Sequence, residues 1–295
     1  MNLEDLEKID SHKMYQTYDK WPDIAKQGYE QEFAVPEFKS IDHIVFAGMG
    51  GSGTIGDIIS SILSKNDVHT SVVKGYSLPK TVDSNTLVVV TSVSGQTNET
   101  LTVLRDSLKL NANVITFSSG GKIEEVSLKN KIPFFKINYM HSPRASLLGF
   151  LYSTLNVLED LLPTNKSDIL ESLNLLNGTQ IEINSSNLTD NNPALRFAKL
   201  IKNIPVIYYP AGLEAAAIRF KNSMQENAKT HIISENVIEA CHNGIVAWEK
   251  STNLQPILIQ GQDDHSRTKE RWGILKEFFQ SKEIKYEEIF TIDGN

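Results

Sequence analysis

Between residues 48 and 53 the chain reads Gly48-Met49-Gly50-Gly51-Ser52-Gly53, a composition suited to holding an anion. Side chains this small let backbone N–H groups approach a ligand closely, and a helix beginning there adds its positive end. The flanks supply both parts. An apolar run, Ile44-Val45-Phe46-Ala47, precedes the glycines, and Ile55, Ile58, Ile59, Ile62 and Leu63 follow at helical spacing. The pattern predicts strand, glycine turn, helix. Farther along, a second run from Thr86 to Thr91 leads into Ser92-Val93-Ser94-Gly95-Gln96-Thr97. Hydroxyls dominate this loop, so it offers neutral hydrogen-bond donors to the same kind of group. Two such loops at the carboxyl ends of neighbouring parallel strands make a phosphate site. Its candidate contacts are Gly51, Ser52, Ser92, Ser94 and Thr97.

A dinucleotide is the competing ligand. Gly48, Gly50 and Gly53 satisfy G-x-G-x-x-G, a weak signal alone. Such a site calls for an acidic residue at the end of the second strand, to hold the ribose hydroxyls. Here the run Thr70 to Val73 ends in Lys74-Gly75-Tyr76. Lys74 could take a 2′-phosphate, which keeps an NADP-dependent oxidoreductase as an alternative. The Ser92–Thr97 hydroxyls have no role in that alternative, whereas a sugar phosphate uses both loops.

The elements around the loops follow from periodicity. Runs at 70–73, 86–91, 113–117 and 133–137 read as strands, and 97–109 and 122–129 as helices. This alternation predicts a doubly wound parallel sheet. An apolar helical segment runs from Arg144 to Leu162 and closes at Pro163, so the first domain is placed at 1–163. Helices are expected over 168–176 and 192–201, with polar 177–191 as the linker between them. The opening theme then returns, with strands 204–209, 254–260 and 284–290 and helices 213–228 and 267–280. In the 213–228 helix, Leu213, Ala217, Phe220, Met224 and Ala228 form the buried stripe. Residues 164–295 are read as a second α/β domain without the glycine and hydroxyl loops, so the phosphate belongs to the first.

Composition narrows the partners. Lys+Arg 29 against Asp+Glu 36 gives a net charge of −7, which argues against nucleic acid or an anionic membrane. No apolar run approaches the ~18 residues of a membrane span. Met1-Asn2-Leu3-Glu4-Asp5 lacks the basic and apolar segments of a signal peptide. The single cysteine, Cys241, excludes an internal disulfide and fits a reducing cytoplasm.

Further motifs extend these signals: Ser92-x-Ser94-Gly95-x-Thr97-x-Glu99-Thr100, Ser142-Pro143-Arg144, Asn222-x-x-x-Glu226-Asn227-x-Lys229 and Glu239-x-x-His242-Asn243. Together with Gly48–Gly53 they resemble the bifunctional phosphoglucose/phosphomannose isomerases, mainly archaeal enzymes built from two sugar isomerase (SIS) domains. The glycine and hydroxyl motifs mark SIS domains generally, and the Glu226 and His242 motifs mark this family. The resemblance implies an α/β fold of two tandem SIS domains, each a parallel sheet flanked by helices in three flavodoxin-like layers. It also implies a cytoplasmic homodimer that acts on hexose 6-phosphates. Glucose 6-phosphate, and mannose 6-phosphate with it, would be interconverted with fructose 6-phosphate through a cis-enediol. Glu226 would be the base between C1 and C2, and Arg144 would bind substrate and stabilise the enediolate oxygen. His242 would assist ring opening from the other subunit. Family members continue into a helix bearing a lysine near the site. This sequence ends at Ile292-Asp293-Gly294-Asn295, after the last expected strand, and shows no counterpart of that lysine.

The chemistry requires these types. A weakly acidic C–H beside a carbonyl needs a carboxylate within hydrogen-bond reach. The resulting oxyanion needs a fixed cation, and ring opening needs a group that exchanges protons near neutral pH. No step requires a metal or a redox cofactor. Plainer roles exist for each residue: a solvated carboxylate at Glu226, a structural imidazole at His242 or His231, a surface guanidinium at Arg144. Ser92, Ser94 and Thr97 could serve as helix caps. Cys241 beside His242 suggests a nucleophilic pair, but side chains adjacent in sequence seldom face each other. A non-catalytic sugar-phosphate-sensing SIS regulator would need the loops without Glu226 and His242.

Overall fold

Three helices open the chain: α1 (Leu3–Ile9), α2 (Tyr15–Asp19) and α3 (Trp21–Glu30). Asn2 and Asp5 close a capping box on α1, and Pro22 stands in the first turn of α3, where its missing N–H costs nothing. Next come β1 (His43–Ala47), α4 (Gly51–Leu63), β2 (His69–Val73), β3 (Thr86–Ser92), α5 (Asn98–Ser107), β4 (Asn113–Ser118), α6 (Gly121–Lys129) and β5 (Phe134–Lys136). The strands are parallel, in the order β2-β1-β3-β4-β5.

Alternation along β1 divides the core. Ile44 and Phe46 pack with Ile55, Ile59 and Leu63 of α4 on one face. Val45 and Ala47 pack with Leu101 and Leu104 of α5 and Ile123 of α6 on the other. Both faces are covered, which is why the strands read as continuous apolar runs.

The sequence places Arg144 at the start of a helix, but the helix begins later. Residues 141–146 form turns, and α7 (Leu147–Val157) follows, then a 3-10 turn Glu159–Leu161 and α8 (Lys166–Ile183). α7 buries nearly every side chain against α3 and α4. Gly28 and Gly149 meet where α3 and α7 cross, and a Cβ on Gly28 would lie 2.7 Å from the Gly149 carbonyl oxygen.

A computed structural model describes residues 1–291. The expectation that the chain stops just past its last strand falls on 292–295, outside the described residues. Two compact units emerge, Met1–Asn192 and Pro193–Asn295, whereas the sequence reading divides the chain after 163. The difference lies in α8. Asn165 caps it with Asp168, and it packs on α3. Gln180 and Ser185 then bond to Asp19 at 2.8 and 3.0 Å. Much of the expected linker 177–191 is therefore helix, and it belongs to the first unit.

The second unit holds α9 (Pro193–Leu200), β6 (Ile204–Tyr209), α10 (Glu214–Asn227), β7 (Ile233–Asn236), α11 (Val237–Ala240), β8 (Leu254–Gln260), α12 (Ser266–Ser281) and β9 (Glu287–Phe290). Its parallel order, β7-β6-β8-β9, repeats the first four strands of the other sheet. β7 is not expected from sequence, because Ile233-Ser234-Glu235-Asn236 is a short, polar edge strand. No helix among the described residues is long and apolar enough to cross a membrane.

One titratable group sits inside the first sheet. His43 is 5% exposed, its Nε2 is 3.0 Å from Ser71 Oγ, and its ring centroid is 4.9 Å from that of His69. Burial, then the neighbouring His69, hold its pKa below the ordinary value. The unfolded chain therefore binds this proton more readily than the native one. The stability tied to His43 is complete above about pH 6.5, the unfolded value, and is lost as pH falls through the lower folded pKa. Denaturant titrations from pH 7.5 to 5 should show this decline, and His43→Gln should make it shallower.

Candidate active site

The strand order sets the place of the site. β1 connects through α4 to β2 on one side, while β3 connects through α5 to β4 on the other. The two crossovers diverge, leaving a crevice at the carboxyl ends of β1 and β3, the usual ligand position in an open parallel sheet. Both loops read from sequence open there: Gly48–Gly50 runs into the first turn of α4 with Gly51 and Ser52, and Ser92–Thr97 leads into α5.

Local geometry accounts for the glycines. Gly50, the N-cap of α4, has φ +55°, a left-handed conformation open to glycine. A Cβ on Gly48 would lie 2.7 Å from the Ser52 carbonyl carbon. Lys74, the alternative 2′-phosphate ligand, lies along Gly53 and bonds Asp57 of α4 at 2.5 Å. Its ammonium already has a carboxylate partner.

The hydroxyl loop is built as tightly. Ser92, 2% exposed, and Thr97 place their hydroxyls 3.0 Å apart, and the Gln96 N–H donates to Ser94 Oγ at 3.3 Å. Thr97 is the N-cap of α5 yet makes no side-chain cap bond. Gly95 has φ +65°, and a Cβ there would lie 1.8 Å from the Gly120 carbonyl oxygen. A third loop, Ser118-Ser119-Gly120-Gly121 after β4, supports the second. Ser119 donates from N and from Oγ to the Val93 carbonyl, at 3.1 and 2.5 Å, and the Ile123 N–H donates to the Gly95 carbonyl at 3.1 Å. Sequence reasoning passed over this loop, although hydroxyls and glycines after an apolar strand are the same signal as before. It also gave no role to Tyr76, whose hydroxyl donates to Glu99 Oε1 at 3.2 Å beside the second loop.

Arg144 is half-buried in the turn between β5 and α7. That turn leaves from the carboxyl end of β5, on the sheet edge that carries both anion loops. The first unit therefore opens Gly51, Ser52, Ser92, Ser94 and Thr97 into one crevice, while Arg144 follows β5, two strands beyond β3.

The second unit does not bring Glu226 and His242 together. Glu226 is exposed on the last turn of α10, and Lys229 (φ +55°) folds back to donate to its carbonyl at 2.6 Å. Ala217, Phe220 and Met224 pack α10 against Ile207, Ile257 and Ile259. His242, also exposed, follows Ala240 and Cys241, which pack with Val206, Tyr208 and Leu258. Residues 206 and 208 point to one face of β6 and 207 to the other, so the two candidates flank opposite faces. They also flank opposite ends of β7, since α10 precedes it and His242 follows it. Asn243 beside His242 donates to Glu239 Oε1 at 2.7 Å. The Cys241 thiol is packed in the apolar cluster, and burial pushes its pKa up, contrary to what a nucleophile requires.

This fold and these loops define a sugar-isomerase architecture, and comparison with known proteins agrees. Residues 37–130 match the SIS domain family, and residues 190–294 match the bacterial phospho-glucose isomerase C-terminal SIS domain. Tagatose-6-phosphate ketose/aldose isomerase from Escherichia coli shares the fold, with a TM-score of 0.72 at 13% identity over 97% of this chain and 87% of that one. The bifunctional phosphoglucose/phosphomannose isomerase of Aquifex aeolicus is 30% identical across 88% of this chain and 77% of its own length. That of Caldicellulosiruptor bescii is 28% identical across 96% and 86%. The chain belongs to the bifunctional phosphoglucose/phosphomannose isomerase family.

Gly95 tests how the hydroxyl loop is held. Gly95→Ala combines a left-handed φ with a clash against backbone, and should cost about 2–3 kcal/mol of stability. Denaturant unfolding reads that loss, and calorimetry at a temperature where the variant is still folded should show weakened fructose 6-phosphate binding. Unchanged stability would mean that the β3 and β4 loops are not locked together.

Proposed function

We propose that this protein is an aldose–ketose isomerase that interconverts glucose 6-phosphate, and mannose 6-phosphate, with fructose 6-phosphate. The observation that carries the reading is the pair of anion loops at the β1–β3 divergence, in a chain of this family. The backbone N–H of Gly51 and the hydroxyls of Ser52, Ser92, Ser94 and Thr97 hold the phosphate, while the Ser52 N–H closes the turn on the Met49 carbonyl at 3.1 Å. With the phosphate anchored, the rest of the sugar is presented to the reacting groups in a fixed orientation.

The open-chain aldose carries its carbonyl at C1. Glu226 takes the proton from C2, and the C–H electron pair forms the C1–C2 double bond as the C1 oxygen becomes negative. Arg144 stabilises that oxygen, a fixed cation matched to charge that appears only during the reaction. Return of the proton to C1, with the O2 hydroxyl proton moved to O1, yields the ketose. Protonation at C2 from the opposite face of the enediol gives mannose 6-phosphate. His242 exchanges protons at the ring and carbonyl oxygens during opening.

The arrangement of the second unit supports a homodimer with shared sites. Glu226 and His242 flank opposite faces and ends of one sheet, so a site using both takes them from two chains. The acidic net charge of −7 and the single cysteine support a cytoplasmic enzyme of small anionic sugars that binds no nucleic acid.

Coupled assays should detect turnover of glucose 6-phosphate and of mannose 6-phosphate, with little on glucosamine 6-phosphate. Glu226→Gln should lower kcat by about 10²–10⁴-fold and leave KM within a few-fold. Phosphate binding without turnover in the parent enzyme would point to the regulator instead.

A further inference from the structure

We infer that the N-terminal segment positions Arg144, with Trp21 as the principal positioning residue and Ser142 as its counterpart within the turn. The inference rests on the enediolate-stabilising role given to Arg144 above. Both the turn and the segment lie outside the matched ranges 37–130 and 190–294.

A guanidinium that stabilises developing charge must be aimed before the charge appears. Arg144 stands in no helix or strand, so its backbone requires another source of rigidity. Part of that comes from within the turn. The Ser142 carbonyl accepts from the Ala145 and Ser146 N–H groups at 3.1 and 3.0 Å. Ser146, fully buried, donates from Oγ to the Ser142 and Met140 carbonyls at 2.9 and 3.0 Å and accepts from the Met140 N–H at 2.9 Å. His141 nevertheless has φ +33°, a conformation that persists only where the surroundings enforce it.

The surroundings are residues 12–21. Trp21 Nε1–H donates to the Ala145 carbonyl, the residue next to Arg144, at 2.8 Å. Ser142 Oγ donates to Met14 Sδ at 3.5 Å, and His141 Nε2 donates to the His12 carbonyl at 2.9 Å. Three tethers from one short segment thus converge on the turn. Trp21 is itself fixed, because it begins α3, the helix that crosses α7 at the Gly28–Gly149 contact, and its ring meets Tyr18 edge-on at 4.6 Å. α7 follows directly from the turn, so α3 holds both the turn and the helix leaving it.

Trp21→Phe keeps the ring and deletes the N–H. It should lower kcat by about 5–20-fold, leave KM for fructose 6-phosphate within about twofold and keep the cooperative thermal transition, since small misplacements of a catalytic group reduce rate more than binding. In an Arg144→Ala background the same change should have no further effect on kcat, because the group it positions is gone. Ser142→Ala, a second lesion at the other end of the turn, should behave alike. Full kcat in both variants beside a crippled Arg144→Ala enzyme would overturn the inference alone, as would equal losses with and without Arg144. Normal kcat in Arg144→Ala itself would overturn the role of Arg144 on which the inference stands.

Discussion

Everything proposed for this chain depends on two neighbouring parallel strands whose crossovers leave in opposite directions. β1 and β3 share a register from His43 and Thr86 to Ala47 and Val90, yet α4 and α5 depart onto opposite faces. Right-handed crossovers make that divergence unavoidable in a sheet of order β2-β1-β3-β4-β5. No helix covers the gap, so the N-termini of α4 and α5 open beside each other. The glycines and hydroxyls are what this crevice tolerates: a side chain at Gly48 or Gly95 would strike backbone.

The same topology occurs in the second unit with different chemistry. The loop after β8 there carries Asp263 and Asp264, which repel a phosphate. In the proposed function that sheet contributes instead through α10 and through the segment after α11. The position of each candidate follows from the face on which its helix packs, so the separation of Glu226 from His242 is as much a property of the fold as the crevice in the first unit.

The loops and central strands were legible because their constraints are local. A buried parallel strand must be apolar at successive positions, and a tight strand-to-helix turn must be small, as Ile44–Ala47 and Gly48–Gly53 show. The parts misread are held by tertiary contacts. In α8 only Ile169 is buried, and Asn177, Gly178 and Thr179 read as linker. The helix persists through the Asn165–Asp168 cap and its packing on α3. β7 carries one apolar residue in four and is fixed by pairing with β6. α3 is fixed by its packing on α7. Arg144 was recognised by motif, while the turn that holds it involves His12, Met14 and Trp21, residues distant in sequence and with no periodic signal.

The central claim is that the site is shared, one chain supplying the phosphate loops and its partner the imidazole. Subunit exchange between two inactive variants, Ser92→Ala/Ser94→Ala and His242→Ala, tests it most directly. In a mixed dimer one site inherits both lesions and the other neither, so activity toward fructose 6-phosphate should return to about a quarter of the parent level at equal mixing. No recovery after exchange verified by native mass spectrometry, or a fully active monomer, would contradict the claim and place the whole site within one chain.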